Sequence, residues 1–121
     1  MFNVVFYKNK NGKSEIEDYL LDLQMKNDKN SRIKSNKIIA YINMLAQHGT
    51  NLGEPYVKHL ENDIWELRPL RDRILFAYIT YNKIILLNIF MKQTRKTPKL
   101  EILKAKRLLE DFIKRSDYNE K

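Results

Sequence analysis

The chain has no cysteine, only three glycines and three prolines, and no long apolar run. The lack of cysteine excludes disulfides and thiol chemistry, and it is typical of proteins from a reducing compartment. Three glycines are too few to predict a glycine-rich phosphate loop. No apolar run approaches the roughly 20 residues that span a bilayer, and the first residues do not resemble a signal peptide. We therefore expect a cytoplasmic protein without a membrane partner.

Acidic residues are also few relative to basic ones. Lys and Arg number 23 against 15 Asp and Glu, which gives a formal net charge of +8. A basic protein attracts polyanions over long distances, and the partner can be a nucleic acid, an anionic membrane or an acidic protein. Because the chain shows no internal repeat, low-complexity tract or linker, its 121 residues predict a single domain, residues 1–121.

Residues that could hold a metal are scarce. The two histidines, His48 and His59, lack a ligand-like spacing to carboxylates, and there is no HExxH motif. His48 falls in the last turn of a predicted helix beside Gly49, where a cation complements the helix dipole. No Ser-His-Asp set is evident either. We therefore expect no metal and no cofactor.

Hydrophobic periodicity predicts an α+β fold. Ser14 and Glu17 form a capping-box pattern at the start of one helix, and a second helix begins near Ser31 and ends at Gly49. A last helix covers about residues 98–115. Strands are predicted at residues 1–7, 57–60, 64–68, 73–80 and 83–91. We expect an antiparallel sheet of about four to five strands, packed on one face by the two N-terminal helices, plus the C-terminal helix.

Alternation of side chains along the predicted strands assigns three basic residues to one face of the sheet. With residues 69–72 as a four-residue hairpin loop, Arg68 lies opposite Arg73, and Glu66 can offset part of their repulsion. Either of two possible two-residue turns before the next strand brings Lys92 to the same face. We expect this face to be open, so that Arg73 and Lys92 are exposed.

The other face of these strands collects bulky apolar residues and is the expected core. Its members are Trp65, Leu67, Ile74, Phe76, Tyr78, Ile85, Leu87, Ile89 and Met91. The cation face also receives Leu75, Leu86 and Phe90, so part of it is expected to be covered. A β-bulge or a three-residue turn in either hairpin would reverse the assignment of faces.

Three cations held on rigid strands repel each other unless an anion lies between them. A basic loop with Arg95 and Lys96 follows Lys92 and adds charge at the same end of the face. We interpret the cluster as a site for an RNA phosphate, and a solvated basic surface is the alternative. Arginine and lysine can stabilise charge on a phosphate while the neighbouring 2′-hydroxyl attacks it. His59 is a candidate general base, and a surface histidine without a catalytic role is the alternative.

Three segments resemble the RelE/ParE toxin superfamily, and in particular its phage-derived HigB-type branch. They are Ile64 to Tyr78, with the sequence IWELRPLRDRILFAY, then Ile85 to Lys92 and Thr94 to Pro98. Residues 56–113 follow the pattern of this branch in order and spacing. Two positions depart from the pattern, since Gln93 stands where a second lysine is usual and Asn88 where a histidine is frequent.

The resemblance implies a compact α+β toxin of a type II toxin–antitoxin pair, with a RelE-like fold. It also implies a metal-independent endoribonuclease that cleaves mRNA on the ribosome. By position, the implied phosphate-binding and catalytic residues are Arg68, Arg73 and Lys92. The candidate RNA-binding residues are Lys58, His59, Arg71, Arg95 and Lys96.

The implied partners are mRNA on the ribosome and a cognate antitoxin, which we expect to be a small helix-turn-helix protein that binds DNA. Two further functions fit the same charge and fold. One is a topoisomerase poison of the ParE kind, and the other is a non-catalytic RNA-binding domain.

Overall fold

The computed structural model describes the backbone of residues 1–120 and the side chains of residues 1–116, and it confirms the predicted α+β architecture. Five strands form one sheet, and three helices pack against it. The elements in chain order are β1 (Asn3–Phe6), α1 (Glu15–Met25), α2 (Lys29–His48), a 3₁₀ turn (Gly49–Leu52), β2 (Val57–Glu61), β3 (Ile64–Leu67), β4 (Asp72–Thr80), β5 (Lys83–Met91) and α3 (Lys99–Glu120). None of the described helices is long and apolar enough to cross a membrane.

The sheet is mixed rather than fully antiparallel. Its strand order is β1-β5-β4-β3-β2, and β1 pairs with β5 in parallel while the other neighbours are antiparallel. Strands β2 to β5 are consecutive and joined by short connections, so the local pattern predicts their direction. The partner of β1 is distant in sequence, and a local pattern cannot predict the direction of that pairing.

Helices cover both faces of the sheet, which corrects the expectation of an open cation face. One core lies between the sheet and helices α1 and α2. Its buried members include Ile16, Ile38, Leu45, Leu67, Ile74, Phe76, Ile84 and Leu86. The second core lies between the sheet and α3 and includes Leu75, Ala77, Ile85, Leu87, Ile102, Ala105 and Leu109. The apolar stripe of α3 needs a surface against which it can be buried, and the face predicted to be open supplies it.

Two register shifts between β4 and β5 reverse the predicted faces of three residues. One shift lies just before the hairpin turn, and the other lies in the middle of the two strands. Because each shift reverses the alternation of side chains, Ile85 and Leu87 face α3 and Leu86 faces α1 and α2, opposite to the prediction. Beyond the second shift the two reversals cancel. Arg73 therefore pairs with Phe90, and the predicted assignment of faces is restored at the cation end.

Side-chain and glycine caps define the ends of the N-terminal helices. Ser14 caps α1 as predicted, and its Oγ accepts the backbone N–H of Glu17 at 3.2 Å. Asp28 caps α2 by accepting the N–H of Ser31 at 2.8 Å, so α2 begins earlier than predicted. This hydrogen bond also lowers the pKa of the Asp28 carboxyl. Gly49 ends α2 as predicted, with a φ of 59°.

We expect Ser14→Ala to lower the free energy of unfolding by about 1 kcal/mol, because the N–H of Glu17 loses its acceptor. Ser14 is only 3% exposed, so water does not readily replace the hydroxyl. Urea denaturation measures the loss. Ser14→Thr keeps a hydroxyl at the cap and is the matched control, for which we expect a much smaller loss. Equal losses for the two variants would contradict the capping role.

Candidate phosphate-binding site

The three basic side chains predicted to bind phosphate meet at one end of the sheet. Arg68 directly follows β3, Arg73 is the second residue of β4, and Lys92 directly follows β5. All three line one cavity, together with Glu66 and residues 94–98 of the basic loop that follows β5 (residues 93–98). The structure therefore brings together three cations that come from three different strands.

The hairpin loop between β3 and β4 holds Arg73 in place. Its Nη1 donates to the carbonyl oxygens of Leu70 at 2.8 Å and of Asp72 at 2.9 Å. Arg73 is only 6% exposed, so the expectation that it is exposed is wrong. The physical reason is that the carbonyls of the hairpin and the basic loop enclose the guanidinium group.

The two arginines share one buried carboxylate. Glu66 Oε1 lies 3.5 Å from Arg68 Nε and 4.0 Å from Arg73 Nε. Glu54 is largely exposed, and its Oε1 lies 3.8 Å from Arg68 Nη1. Burial lowers the pKa of Arg73, and the neighbouring charge of Arg68 lowers it further. A single carboxylate shared by two guanidinium groups cannot neutralise both of them.

Lys92 supplies the third cation and is partly buried. Its N–H donates to the carbonyl of Arg71 at 2.7 Å, and its own carbonyl accepts a hydrogen bond from Arg71 Nη2 at 3.3 Å. Arg71 therefore secures the end of β5 and does not line the cavity. Within the part of the chain whose side chains are described, the Lys92 ammonium makes no ion pair. Its charge is available to an anion in the cavity.

A wide groove of ≈ 870 Å³ opens beside the cavity. Strand β2 contributes Lys58 and His59 to the groove, the basic loop contributes Arg95 and Lys96, and all four residues are exposed. Arg68 lines both the cavity and the groove, so the two are continuous. Four of the five candidate RNA-binding residues therefore share one surface.

The donor set of the cavity suits an anion rather than a metal ion. Its polar side chains are cationic apart from Glu66, Thr94 and Thr97. Among residues 1–116, no group of three or more His, Cys, Asp or Glu side chains could hold a metal ion. The arrangement can donate several hydrogen bonds and positive charge to the oxygens of a phosphate.

Residues 21–110, about three quarters of the chain, match the family model described as "Phage derived protein Gp49-like (DUF891)". The chain belongs to the Gp49-like family. This family is associated with RelE-like toxins, which supports the resemblance inferred from the sequence at that level. No curated protein matches the chain. The matched segment of this Gp49-like protein contains the three cations and the whole basic loop.

His59, the candidate general base, lines the groove of the Gp49-like chain but not the cavity that holds the three cations. A register shift within β2 places Lys58 opposite Glu66 and His59 opposite Trp65. The rings of His59 and Trp65 pack with centroids 4.9 Å apart, and His59 Nε2 lies 2.8 Å from the carbonyl oxygen of Asn62. These contacts fix the histidine ring at the edge of the groove and give it a packing role.

Asn88, at the position where the sequence pattern often has a histidine, connects β5 to α3. It is fully buried, and its Nδ2 donates to Glu101 Oε1 at 3.0 Å and to the Glu101 carbonyl at 3.3 Å. Its Oδ1 has no hydrogen-bond partner among the described residues. Asn88 therefore helps to hold α3 on the sheet and does not line the cavity.

Sequence reasoning missed a partly buried network that connects the N-terminal helices to Asp72, the residue before Arg73. Tyr19 donates to Asp72 Oδ1 at 2.7 Å, and Lys34 Nζ donates to the Tyr19 oxygen at 2.7 Å and lies 3.5 Å from Asp72 Oδ2. Burial raises the pKa of Tyr19. Asp72 is 1% exposed, and these partners offset the cost of burying its charge. No local pattern signals this network, because its members are far apart in sequence.

Proposed function

We propose that this Gp49-like protein is a HigB-type toxin of a type II toxin–antitoxin pair that cleaves mRNA on the ribosome. The observation that carries the proposal is the convergence of Arg68, Arg73 and Lys92 on one cavity, where Glu66 is the only carboxylate among the described lining residues. An excess of fixed positive charge in a partly desolvated site is unfavourable until an anion enters. An RNA phosphate supplies that anion.

The proposed reaction is attack by an RNA 2′-hydroxyl on the adjacent phosphate. A bond forms between the 2′-oxygen and phosphorus while the bond from phosphorus to the 5′-oxygen breaks. The 2′-hydroxyl loses its proton and the leaving 5′-oxygen gains one, so the products are a 2′,3′-cyclic phosphate and a 5′-hydroxyl. Negative charge grows on the phosphoryl oxygens in the transition state. The side chains of Arg68, Arg73 and Lys92 would stabilise that charge.

The sizes of the cavity and the groove suit different parts of the RNA. The cavity itself is small, ≈ 10 Å³, which is about the space of one water-sized atom, so it admits a single phosphoryl oxygen and no base. The adjoining groove of ≈ 870 Å³ is large enough for nucleotides on either side of that phosphate. In this proposal Lys58, Arg95 and Lys96 contact neighbouring phosphates of a single strand.

The proposal also names partners and a location. The substrate is mRNA bound to the ribosome, which places the protein in the cytoplasm. The expected second partner is a cognate antitoxin, a small helix-turn-helix protein that binds DNA. We propose that the antitoxin covers either the basic groove or the N-terminal helices α1 and α2.

A cell-free translation reaction tests the proposed activity. We expect the purified protein to cut a translated reporter mRNA within its coding region and to leave 2′,3′-cyclic phosphate ends, as mapped by primer extension and end labelling. The same mRNA without ribosomes is the control and should stay intact. Halted protein synthesis with intact mRNA would count against the proposal. DNA damage without mRNA cuts would indicate a topoisomerase poison, and RNA binding without cuts a non-catalytic domain.

Lys92→Ala is expected to slow mRNA cleavage by about a hundredfold, because one preorganised cation is lost from the transition state. Lys92 is partly buried and forms no ion pair within the described part of the chain, so we expect the melting temperature to change little. Lys37→Ala removes an exposed lysine from α2 and is the matched control for charge. Equal cleavage by the two variants would exclude Lys92 from the reaction.

A further inference from the structure

Glu66 is a buried carboxylate whose two oxygens have different partners. The residue is 3% exposed. Its Oε1 faces Arg68 and Arg73, and its Oε2 accepts a hydrogen bond from Thr97 Oγ1 at 2.5 Å. The hydroxyl of Thr97 has a single proton, and this proton is used on Glu66.

The contacts of Glu66 with the arginines are long for groups of opposite charge. Oε1 lies 3.5 Å from Arg68 Nε and 4.0 Å from Arg73 Nε, whereas charge-assisted hydrogen bonds usually measure about 2.7–2.9 Å. Arg68 Nε is buried and has no hydrogen-bond partner among the described residues. A carboxylate free to rotate would shorten these contacts and bind one guanidinium with both oxygens. In the structure, the bond to Thr97 occupies one of those two oxygens.

The same hydrogen bond also fastens the basic loop. Among the described side chains of residues 93–98, Thr94 bonds within the loop, since its Oγ1 donates to the Lys96 carbonyl at 2.8 Å. Thr97 is the loop residue whose side chain reaches the sheet. Among the described side chains of the loop, the one hydrogen bond to the sheet is therefore the bond from Thr97 to Glu66, and Arg95 and Lys96 directly precede Thr97 in the chain.

We propose that Thr97 and Glu66 are positioning residues, in which Thr97 holds Glu66 away from the arginines so that Arg68 and Arg73 stay available to a phosphate. Glu66 still lowers the repulsion between the two arginines, but it does not occupy either guanidinium group with a bidentate ion pair. The identification of that phosphate as part of an RNA rests on the proposed function. The geometry of the contact itself does not depend on that identification.

Replacement of Thr97 should change phosphate affinity and thermal stability in different directions, which a purely structural role would not do. In Thr97→Val the Glu66 carboxylate loses its hydrogen bond from residue 97. It can then turn toward the two arginines and compete with phosphate for them. We expect phosphate binding to weaken about tenfold, the worth of one charge-assisted contact, while the melting temperature stays the same or rises. Thr97→Ser keeps the hydroxyl and should restore binding to within about twofold of the original protein. Thr80→Val removes an exposed hydroxyl that bonds Asn82 and is the matched control.

Two measurements on the full chain decide the matter. Arginine Nε–H signals in ¹H–¹⁵N spectra follow a titration with inorganic phosphate, and ribosomes programmed with a defined mRNA give kcat and KM for cleavage. We expect the Thr97→Val defect mainly in phosphate affinity and KM. We also expect the added substitution Glu66→Gln to reduce this defect, because an amide does not form the competing bidentate ion pair. This non-additivity is what a direct coupling requires.

The outcomes separate the two ideas. If Thr97→Val binds phosphate as well as the original protein does, or if its effect and that of Glu66→Gln simply add, the positioning role is overturned. A loss of affinity that merely follows a fall in melting temperature overturns it as well. If the original protein binds phosphate but cuts no mRNA, the proposed function fails, and the phosphate titration of the variants still decides the role of Thr97.

Discussion

Arg73→Ala is expected to slow mRNA cleavage about a hundred- to a thousandfold, because a guanidinium fixed beside the reacting phosphate is lost. In the structure, Arg73 Nη1 donates to the carbonyls of Leu70 and Asp72, which holds the guanidinium group in place. The remaining nitrogens of the group are left to bind a ligand. The same contacts predict a second effect. The buried contact to the Asp72 carbonyl and the partly buried contact to the Leu70 carbonyl are both lost, which should lower the free energy of unfolding by about 1–3 kcal/mol.

Arg73→Lys separates these two effects. Lysine retains the charge but cannot reproduce the forked geometry of the guanidinium, so we expect stability to recover more than activity does. Cleavage by programmed ribosomes and urea denaturation measure the two quantities on the same samples. Arg32→Ala, at an exposed arginine of α2, controls for loss of general positive charge. If the fraction of unfolded protein fully explains the lower activity of Arg73→Ala, then Arg73 has no part in the reaction.

Gly49→Ala is expected to lower the free energy of unfolding by about 3 kcal/mol or more, through backbone strain and overpacking. Gly49 has a φ of 59° and a ψ of −149°, which residues with a side chain rarely adopt. A Cβ there would lie 2.5 Å from Tyr78 Oη and 2.7 Å from Phe2 Cε2. The Tyr78 hydroxyl cannot move freely, because it accepts the N–H of Thr50 at 2.9 Å.

Gly12→Ala is the matched control for Gly49→Ala, and urea denaturation compares the two. Gly12 has a φ of 79°, but nothing lies within 4 Å of the Cβ that alanine would add. Gly12→Ala therefore reports backbone strain alone, expected at about 1 kcal/mol. A second variant, Tyr78→Phe, removes the closest atom and should reduce the loss caused by Gly49→Ala. Equal losses at the two glycines would show that packing around Gly49 has no effect.

Much of the fold could be predicted from local patterns. The Ser14 cap, the Gly49 helix end and the β3–β4 hairpin register that sets Arg68 against Arg73 all depend on neighbours in sequence, and the structure confirms them. The direction of β1 and the two register shifts in the β4–β5 hairpin could not be predicted in this way. They depend on packing between distant segments, in particular on α3, whose apolar stripe covers the face predicted to be open.

The sequence was enough to predict which basic residues form the candidate site, but not how deeply they are buried. Alternation along the strands and the hairpin loop were enough to group Arg68, Arg73 and Lys92, and the structure places them around one cavity. Strand periodicity does not report which main-chain carbonyls a long side chain reaches, so the burial of Arg73 was missed. The role of Thr97 was missed for a related reason, since it lies in an irregular loop whose path follows no simple repeat.

The Asp72 network connects the candidate site to the helical layer formed by α1 and α2. Asp72 accepts a hydrogen bond from Tyr19 of α1 and pairs with Lys34 of α2. The next residue, Arg73, lines the cavity on the opposite side of the sheet. A graft of the hairpin motif into another scaffold would carry the cations but leave their supports behind. The proposed cleavage activity would therefore depend on both layers, and we expect substitutions in α1 and α2 that loosen Asp72 to weaken it without touching a nucleotide.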